Sequence, residues 1–300
     1  MLQITLESIF FFSAVFIFGA LSGYMAERAG VVNIGIEGMM IIGAITFSIF
    51  GLYTRETTSN NMQFFAVLIS GFAAMVFSVL YAWAAIKFKS QQIVSGVAIN
   101  MVATAIGLFL VKLPSLTPNG SGAGIPSNYR AITFGGDAAL NWYFLIGVIL
   151  VLVIYLWIKF TKSGLRYSSV GDNPNASDSA GINVIKTRYV AVLISGFLAG
   201  IAGAIYVNAT SYSFNGGVQG FGFISIAILI FGQWKPLFVG AASIIFGTLR
   251  GLAFTRAIAG VPSEILNMTP FLISLGILVA TSKFSKVPKA SGIPFNKSQR

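Results

Sequence analysis

The stretch Ser8–Ala26, SIFFFSAVFIFGALSGYMA, has no charged residue over 19 positions. A helix needs about 20 mainly apolar residues to cross the hydrocarbon core of a bilayer. The stretch therefore predicts a membrane span. No basic residue precedes it, so it lacks the basic n-region of a secretory signal peptide and is interpreted as a first span.

The rest of the chain has the same character. Of its 300 residues, 56% are hydrophobic and 9% are charged, and the mean hydropathy is +0.83. Because a soluble domain carries about 25% charged residues, most of this surface must face lipid. We predict an all-α fold, a polytopic transmembrane helical bundle of about nine spans, with eight to ten allowed. The predicted spans are Ser8–Ala26, Val31–Leu52, Phe64–Ile86, Ile93–Val111, Trp142–Phe160, Tyr189–Asn208, Phe221–Gln233, Leu237–Phe254 and Ile265–Thr281.

Two of these spans are irregular. The seventh is short, and the second contains Asn33 and Glu37. Because Glu37 lies between two glycines, we expect the second segment to be broken or re-entrant near Gly35–Gly38, with polar support for the broken backbone.

The composition also excludes several classes of function. With no Cys and no His, the chain has no thiolate and no imidazole, so we predict no catalytic site and no metal site. The net charge of +11 is attributed to loops that orient the spans, and no nucleic-acid partner is expected. No G-x-x-x-x-G-K-[ST] phosphate loop occurs, so any nucleotide must bind another chain.

The basic residues predict the orientation. With the C-terminus in the cytoplasm, 14 of the 19 Lys and Arg residues lie in cytoplasmic segments and 4 lie outside, as the positive-inside rule requires. The N-terminus is then outside. We expect one transmembrane domain over residues 1–300, with an extracellular loop at about 113–141, a cytoplasmic loop at about 161–188 and a cytoplasmic tail at about 283–300.

Glycines at four-residue spacing mark faces where helices can approach closely. The pairs are Gly19 and Gly23, Gly196 and Gly200, and Gly247 and Gly251. We interpret them mainly as packing surfaces within the chain, with a dimer interface as the alternative.

The loop after the fifth span contains signals for a short helix. Asp172 or Asn173 can cap its N-terminus, and Pro174 suits the first helical position. We predict a helix at Asn175–Ala180, ended by Gly181 in the left-handed conformation. The residues alone leave two interpretations open, a surface that docks on a partner and a simple connector.

The segment GLRYSSVGDNPNASDSAGINVIKTRYVAVLISGFLAGIAGA (Gly164–Ala204) resembles the permease subunits of bacterial ABC importers for ribose, other simple sugars, nucleosides and branched-chain amino acids. In that family the loop carries a coupling helix that fits a cleft on the ATPase subunit. The resemblance implies an ATPase-coupling role for Asp172, Asn173, Pro174, Asn175, Ala176, Ser177 and Gly181.

Three further segments are similar to the nucleoside and simple-sugar subgroup, in the same order along the chain. They are LSGYMAERAGVVNIGIEGMMIIGA (Leu21–Ala44), QQIVSGVAIN (Gln91–Asn100) and GFGFISIAILIFGQWKP (Gly220–Pro236). Tyr24 departs from the pattern, where a small residue or Gly is expected.

The resemblance also implies partners and a location. It points to a bacterial cell membrane, a separate ATPase subunit that holds ATP and Mg²⁺, a second and non-identical permease, and an extracellular substrate-binding lipoprotein. This chain would bind no cofactor of its own and would not be an enzyme. The nearest subgroup implies nucleosides as substrate, with simple sugars such as ribose or galactose as the alternative.

Polar residues inside spans are costly and usually face the bundle interior or a water-filled path. Those predicted to line the translocation path are Asn33, Glu37, Asn100, Asn208 and Gln233. Bonding to neighbouring helices or to broken backbone is the alternative for each, and for Glu37 it is slightly favoured. Arg250 needs a partner, for which Glu37 and Glu264 are both available.

Two other classes of protein fit the composition. A secondary transporter or channel acting without an ATPase would often show an internal repeat of spans, and none is found. A membrane-embedded enzyme would need a carboxylate or Ser/Lys site, and no such cluster is present in the sequence.

Overall fold

The structure is a computed structural model that describes residues 2–54, 60–117, 124–127, 129, 140–210, 212–255, 268, 272, 276 and 287–296. Helices dominate these ranges. They are α1 (Leu2–Arg28), α2 (Ile36–Tyr53), α3 (Gln63–Ala82), α4 (Gln92–Val111), α5 (Trp142–Phe160), α6 (Lys162–Asp172), α7 (Pro174–Ser179), α8 (Val184–Ala209), α9 (Phe221–Phe231) and α10 (Pro236–Phe254). A 3₁₀ turn at Asn60–Met62 precedes α3, and a π-helical turn at Trp83–Lys87 follows it.

Seven helices of the described part are long and apolar enough to cross a membrane: α1, α2, α3 with its flanking turns, α4, α5, α8 and α10. They coincide with seven of the predicted spans and confirm a polytopic helical bundle. The predicted span Phe221–Gln233 is the 11-residue helix α9, which is about 16 Å long and covers about half a bilayer core. The predicted span Ile265–Thr281 lies outside the described residues except for Met268, Leu272 and Gly276.

Three helices form the centre of the bundle. At least two thirds of the most apolar stretch of α1, α2 and α8 is buried, against 22% in α4 and α5. Helix α8 packs against α1, α2 and α3, and α1 also packs against α9 and α10. The outer helices expose large apolar side chains, including Phe65, Met101, Phe109 and Leu152. Lipid is the solvent that suits those faces.

The glycine pairs confirm the predicted close packing within the chain. A Cβ atom added at Gly196 in α8 would lie 2.5 Å from the Cβ of Ser78 in α3. One added at Gly247 in α10 would lie 2.5 Å from the Cα of Ser13 in α1. Real Cβ atoms do not approach so closely, so only glycine allows these helix backbones to meet.

The bundle has two distinct ends. The C-terminus of α1, helices α6 and α7, the N-terminus of α8 and residues 287–296 lie together at one end, called here the α7 end. At the opposite end, strand β1 (Ile125–Pro126) pairs antiparallel with β2 (Ser213–Phe214). Among the described residues, this pair of two-residue strands is the departure from the predicted all-α fold.

Two local predictions need correction. Residues 162–172, predicted as part of a polar loop, form helix α6, whose first turn is capped when Thr161 Oγ1 accepts the N–H of Gly164 at 3.0 Å. The second predicted span is broken, but earlier than expected. Helix α2 is continuous from Ile36, so the predicted site Gly35–Gly38 is only the edge of the break. The non-helical segment is residues 29–35.

Candidate functional site

Helix α7 has the predicted caps. The side chain of Asn173 accepts the N–H of Ala176 at 3.1 Å, Pro174 occupies the first helical position, and Gly181 has φ +82°. The helix runs Pro174–Ser179, one residue earlier than predicted. Asparagine is a strong cap because its oxygen satisfies an amide hydrogen that has no partner inside the helix.

The predicted coupling residues are mostly at the surface. Asp172, Asn173, Asn175, Ala176 and Gly181 are exposed, and Pro174 is partly exposed. Ser177 differs, because it is buried and its hydroxyl bonds to Ser169 Oγ of α6 at 3.0 Å. The outer face of α7 is therefore small, polar and accessible, while its inner face rests on α6.

Helix α6 ties this surface to α1. Arg28, at the end of α1, forms an ion pair with Asp172 at 3.4 Å and donates to Ser168 Oγ at 3.1 Å. The hydroxyl of Tyr167 donates to the carbonyl of Met25. Burial raises the pKa of the Tyr167 hydroxyl well above its usual value, so it remains a donor at physiological pH. Helix α6 therefore links α7 to the end of α1.

The chain segment 287–296 also lies on this end. The N–H of Ala290 donates to the carbonyl of Gly171 at 2.9 Å, and Arg188 of α8 donates to the carbonyl of Ile293 at 2.8 Å. Part of the predicted tail therefore packs against α6 and α8, rather than extending freely from the bundle.

The non-helical segment 29–35 is held by side chains from neighbouring helices. The N–H of Val32 donates to Gln92 Oε1 of α4 at 2.7 Å, and the hydroxyl of Tyr81 in α3 donates to the carbonyl of Val32. Asn100 of α4 donates to the carbonyl of Ile34 at 2.9 Å. Backbone groups at membrane depth need such partners, because lipid offers none.

Asn33 and Asn100 also complete the start of α2. The Asn100 Oδ1 accepts the N–H of Gly38 at 2.7 Å, which caps the helix from another chain segment. Asn33 Oδ1 accepts the N–H of Gly35 at 3.0 Å, and its Nδ2 donates to Ser195 Oγ of α8 at 2.8 Å. Both amides, predicted to line the translocation path, thus make structural hydrogen bonds.

Glu37 caps a different helix. Its carboxylate accepts the N–H groups of Gly220 at 2.8 Å and Gly222 at 2.6 Å, at the N-terminus of α9. A helix N-terminus carries a partial positive charge that a carboxylate stabilises. These contacts fit the alternative prediction for Glu37, which is bonding to neighbouring helices or to broken backbone.

The other two predicted path residues lie apart from this region. Asn208 of α8 is 3% exposed, beside the Tyr143 hydroxyl, and its amide makes no hydrogen bond of ordinary geometry among the described residues. Gln233 follows α9 at φ +50° and lines a cavity of about 490 Å³ near the α7 end, with Lys159 and Lys235. The structure therefore does not bring the five predicted path residues into one site.

Sequence reasoning missed a contact between α1 and the turn after α9. The indole N–H of Trp234 donates to Glu27 Oε2 at 2.6 Å, and Glu27 is 5% exposed. The position of this carboxylate directly after the apolar run Ser8–Ala26 was a signal for it, since an acidic group there needs a donor.

The described residues test one of the two carboxylates predicted as partners of Arg250. Glu264 lies outside the described residues, and Glu37 is engaged with α9. The guanidinium instead lies over the rings of Phe12 and Phe221, with its carbon 5.7 and 5.4 Å from their centroids. Such cation–π contacts stabilise a cation in an apolar setting.

Comparison with known proteins gives consistent results. The family model described as "Branched-chain amino acid transport system / permease component" matches residues 5–281. The chain is 34% identical to the guanosine ABC transporter permease protein NupQ of Bacillus subtilis, over 100% of this chain and 98% of the relative. It is also 34% identical to the nucleoside ABC transporter permease protein NupC of Lactococcus lactis, over 99% and 98%. A second Lactococcus lactis protein, the nucleoside ABC transporter permease NupB, is 22% identical over 94% of this chain and 81% of the relative.

One solved structure has the same fold. It is an ABC transporter described as metal-chelate type, in an inward-facing conformation, with a TM-score of 0.53 at 14% identity. The alignment covers 93% of this chain and 85% of the other. At this identity the likeness shows the fold alone.

Proposed function

Because the chain belongs to the family of permease components of branched-chain amino acid transport systems, we propose that it is the membrane-spanning subunit of an ATP-driven importer of nucleosides. The observation that supports nucleosides as the substrate is the identity of 34%, over essentially the whole chain, to two relatives named for guanosine and for nucleosides. These relatives favour nucleosides over the simple-sugar alternative. Family membership sets aside the secondary-transporter and channel alternative.

The ATPase subunit docks on α7. Support comes from the exposed polar face formed by Asp172, Asn173, Asn175 and Ala176, and from the rigid attachment of α6 to α1 through the Arg28–Asp172 ion pair. ATP and Mg²⁺ bind the ATPase subunit, and this chain contributes no catalytic group to hydrolysis.

A movement of α7 is then transmitted to the non-helical segment 29–35. The segment follows directly after Arg28, and side-chain hydrogen bonds rather than a helical ladder hold it. Side-chain bonds can be exchanged one at a time, so this segment can serve as a hinge between the α7 end and α2.

A second permease completes the pore. The resemblance to both NupC and NupB, two different permeases from one organism, supports a non-identical partner. The higher identity to NupC favours the NupC-like position for this chain in such a pair.

The α7 end faces the cytoplasm and the N-terminus of the chain lies outside. The excess of Lys and Arg in segments at the α7 end supports this orientation. The opposite end, with strands β1 and β2, then receives nucleosides from an extracellular binding lipoprotein. Asn208 and Gln233 remain predicted path residues. For Asn33, Glu37 and Asn100 the structural alternative is favoured, because each bonds a neighbouring helix or broken backbone.

A substrate panel tests the proposal. The chain is purified with its partner subunits and reconstituted in proteoliposomes, and accumulation of labelled guanosine, uridine, ribose and leucine is measured with and without ATP. We expect ATP-dependent accumulation of the two nucleosides and not of ribose or leucine. Accumulation of ribose or leucine alone, or accumulation of nucleosides without any ATPase subunit, would contradict the proposal.

A further inference from the structure

A cavity at the end opposite α7 contains the membrane-embedded arginine of α10. Its volume is about 500 Å³, within the range of about 300–1,000 Å³ that is usual for small-molecule sites. The lining includes Tyr206, Thr210, Asn215, Gln219, Arg250 and Phe254. Tyr206 is 22 residues beyond the start of α8 at Val184, or about 33 Å along the helix from the α7 end. None of the five predicted path residues lines this cavity.

Arg250 is fixed in position without being tightly paired to Gln219. Its guanidinium carbon lies 5.4 Å from the centroid of the Phe221 ring. Its Nη2 lies 3.4 Å from Gln219 Oε1, which is long for a hydrogen bond to a charged donor. The rings therefore set the plane of the guanidinium, while the contact with Gln219 is weak enough for a ligand to replace it.

Gln219 has a strained backbone conformation. Its φ is +52°, a left-handed value that costs energy for a residue with a side chain, and Gly220 follows at φ +79°. Strained residues of this kind cluster at functional sites. Here the strained backbone places the Gln219 amide on the cavity wall beside Arg250.

The charge of the site suits an uncharged ligand. Arg250 is the cation among the described lining residues, and the carboxylate of Glu37 is bonded to the N–H of Gly220, the residue after Gln219. Tyr206 lies in the electrostatic field of both groups. One positive and one negative charge balance each other, so neither an anion nor a cation gains from the net field.

The chemistry of the lining favours a nucleobase over a sugar. A guanidinium presents a planar fork of donors that matches adjacent acceptors, as on the O6 and N7 edge of guanine. Its flat face and the aromatic rings of Tyr206 and Phe254 suit a flat π-system. A sugar ring has no π-system, and its hydroxyls donate as well as accept, so it matches a flat fork of donors less well.

We propose that this cavity binds the base of an uncharged nucleoside, with Arg250 and Gln219 as the residues that recognise its edge. The inference rests on the proposed function for the substrate class. It adds a binding site within this chain, at the end where the substrate enters, so the permease itself contributes to selectivity.

The test is equilibrium binding of labelled guanosine to the purified complex with its partner subunits and without the binding lipoprotein. The variants are Arg250→Met, Arg250→Lys and Gln219→Gly, the last of which removes the side chain at a φ that glycine adopts freely. Thr248→Ala is the matched control, because Thr248 lies on the same helix and its hydroxyl bonds only its own helix at Ile244 in the described structure. Unlabelled ribose and uridine serve as competitors, and thermal unfolding shows which variants keep the fold.

We expect Arg250→Met to weaken guanosine binding on the order of tenfold, as loss of a charged hydrogen bond does. Arg250→Lys and Gln219→Gly should weaken it less, Thr248→Ala should leave it unchanged, and uridine but not ribose should compete. Equal binding by folded Arg250 and Gln219 variants, or competition by ribose as strong as by uridine, would overturn the inference. If wild type binds guanosine through Arg250 but imports no nucleoside with ATP, the proposed function fails while the site stands.

Discussion

The carboxylate of Glu37 accepts a 2.6 Å hydrogen bond from the backbone N–H of Gly222, although the two residues are 185 positions apart. The contact joins the start of α2 to the start of α9. Both helices begin inside the bundle next to a non-helical segment, 29–35 for α2 and 212–220 for α9. A single carboxylate thereby stabilises the place where two interrupted spans meet, and the neighbouring amide of Asn100 caps α2.

Glu37→Ala should destabilise the protein strongly. It leaves one buried and one partly buried N–H group without their acceptor and removes a charge that favours the N-terminus of α9, a loss of about 2–3 kcal/mol. Glu37→Gln should cost less, because its amide oxygen can still accept one bond. The measurement is the midpoint of thermal unfolding in detergent, with Glu7→Gln on partly exposed Glu7 as control. A Glu37→Ala midpoint equal to that of the control would show that the cap has no importance.

Asn100→Ala should lower stability and leave the apparent affinity for substrate unchanged. The side chain bonds the backbone of Gly38 and Ile34, so its loss exposes both groups at a cost of about 1–3 kcal/mol. Thr104→Ala is the control, since Thr104 lies one turn later on α4 and its hydroxyl bonds the Asn100 carbonyl. Unfolding midpoints and uptake KM are compared. An altered KM with an unchanged midpoint would return Asn100 to the translocation path.

Gly247→Ala should disrupt the contact between α10 and α1, because the new methyl group would meet the backbone of Ser13. Overpacking of this kind costs about 1–3 kcal/mol. Gly217→Ala should be tolerated, because a Cβ there meets no described atom within 4 Å. Yield of folded protein after size-exclusion chromatography distinguishes the two. Equal yields would show that the helices can separate without cost.

Asn173→Ala should lower the amount of nucleoside imported per ATP hydrolysed, with only a small loss of folding stability. The substitution removes the cap of α7, worth about 1 kcal/mol. Asn183→Ala provides a matched control, because Asn183 caps α8 in the same way, through the N–H of Lys186 at 2.9 Å. The readout is nucleoside imported per ATP hydrolysed. We expect a lower ratio for Asn173→Ala than for Asn183→Ala, and the reverse order would locate the coupling surface outside α7.

The long spans and α7 could be predicted from the sequence because their signals are local. An uncharged run such as Ser8–Ala26 determines its own helix, and Asn173 with Pro174 marks the start of α7. The contacts of the polar residues could not be predicted in the same way. The carboxylate of Glu37 meets residues far away along the chain, and its partners depend on how the helices pack.

Arg250 illustrates the same limit. A search for an opposite charge suggests Glu37 or Glu264. Glu264 lies outside the described residues, and the described contacts of the guanidinium include the rings of Phe12 and Phe221 rather than Glu37. Phenylalanine is abundant in this chain, at 27 residues, so its presence near Arg250 carried no signal in the sequence. The position of the break at 29–35 was likewise hidden, because Gly38 fits inside a helix that Asn100 caps.

ATP-driven uptake of guanosine by the Ala176→Glu variant in the assembled transporter tests the central claim most directly. Ala176 is exposed on the outer face of α7, so a bulky charge there leaves the bundle intact and obstructs docking of the ATPase subunit. We predict loss of uptake with an unchanged unfolding midpoint, beside a wild type that accumulates guanosine. Uptake by the variant at the wild-type rate would contradict the account.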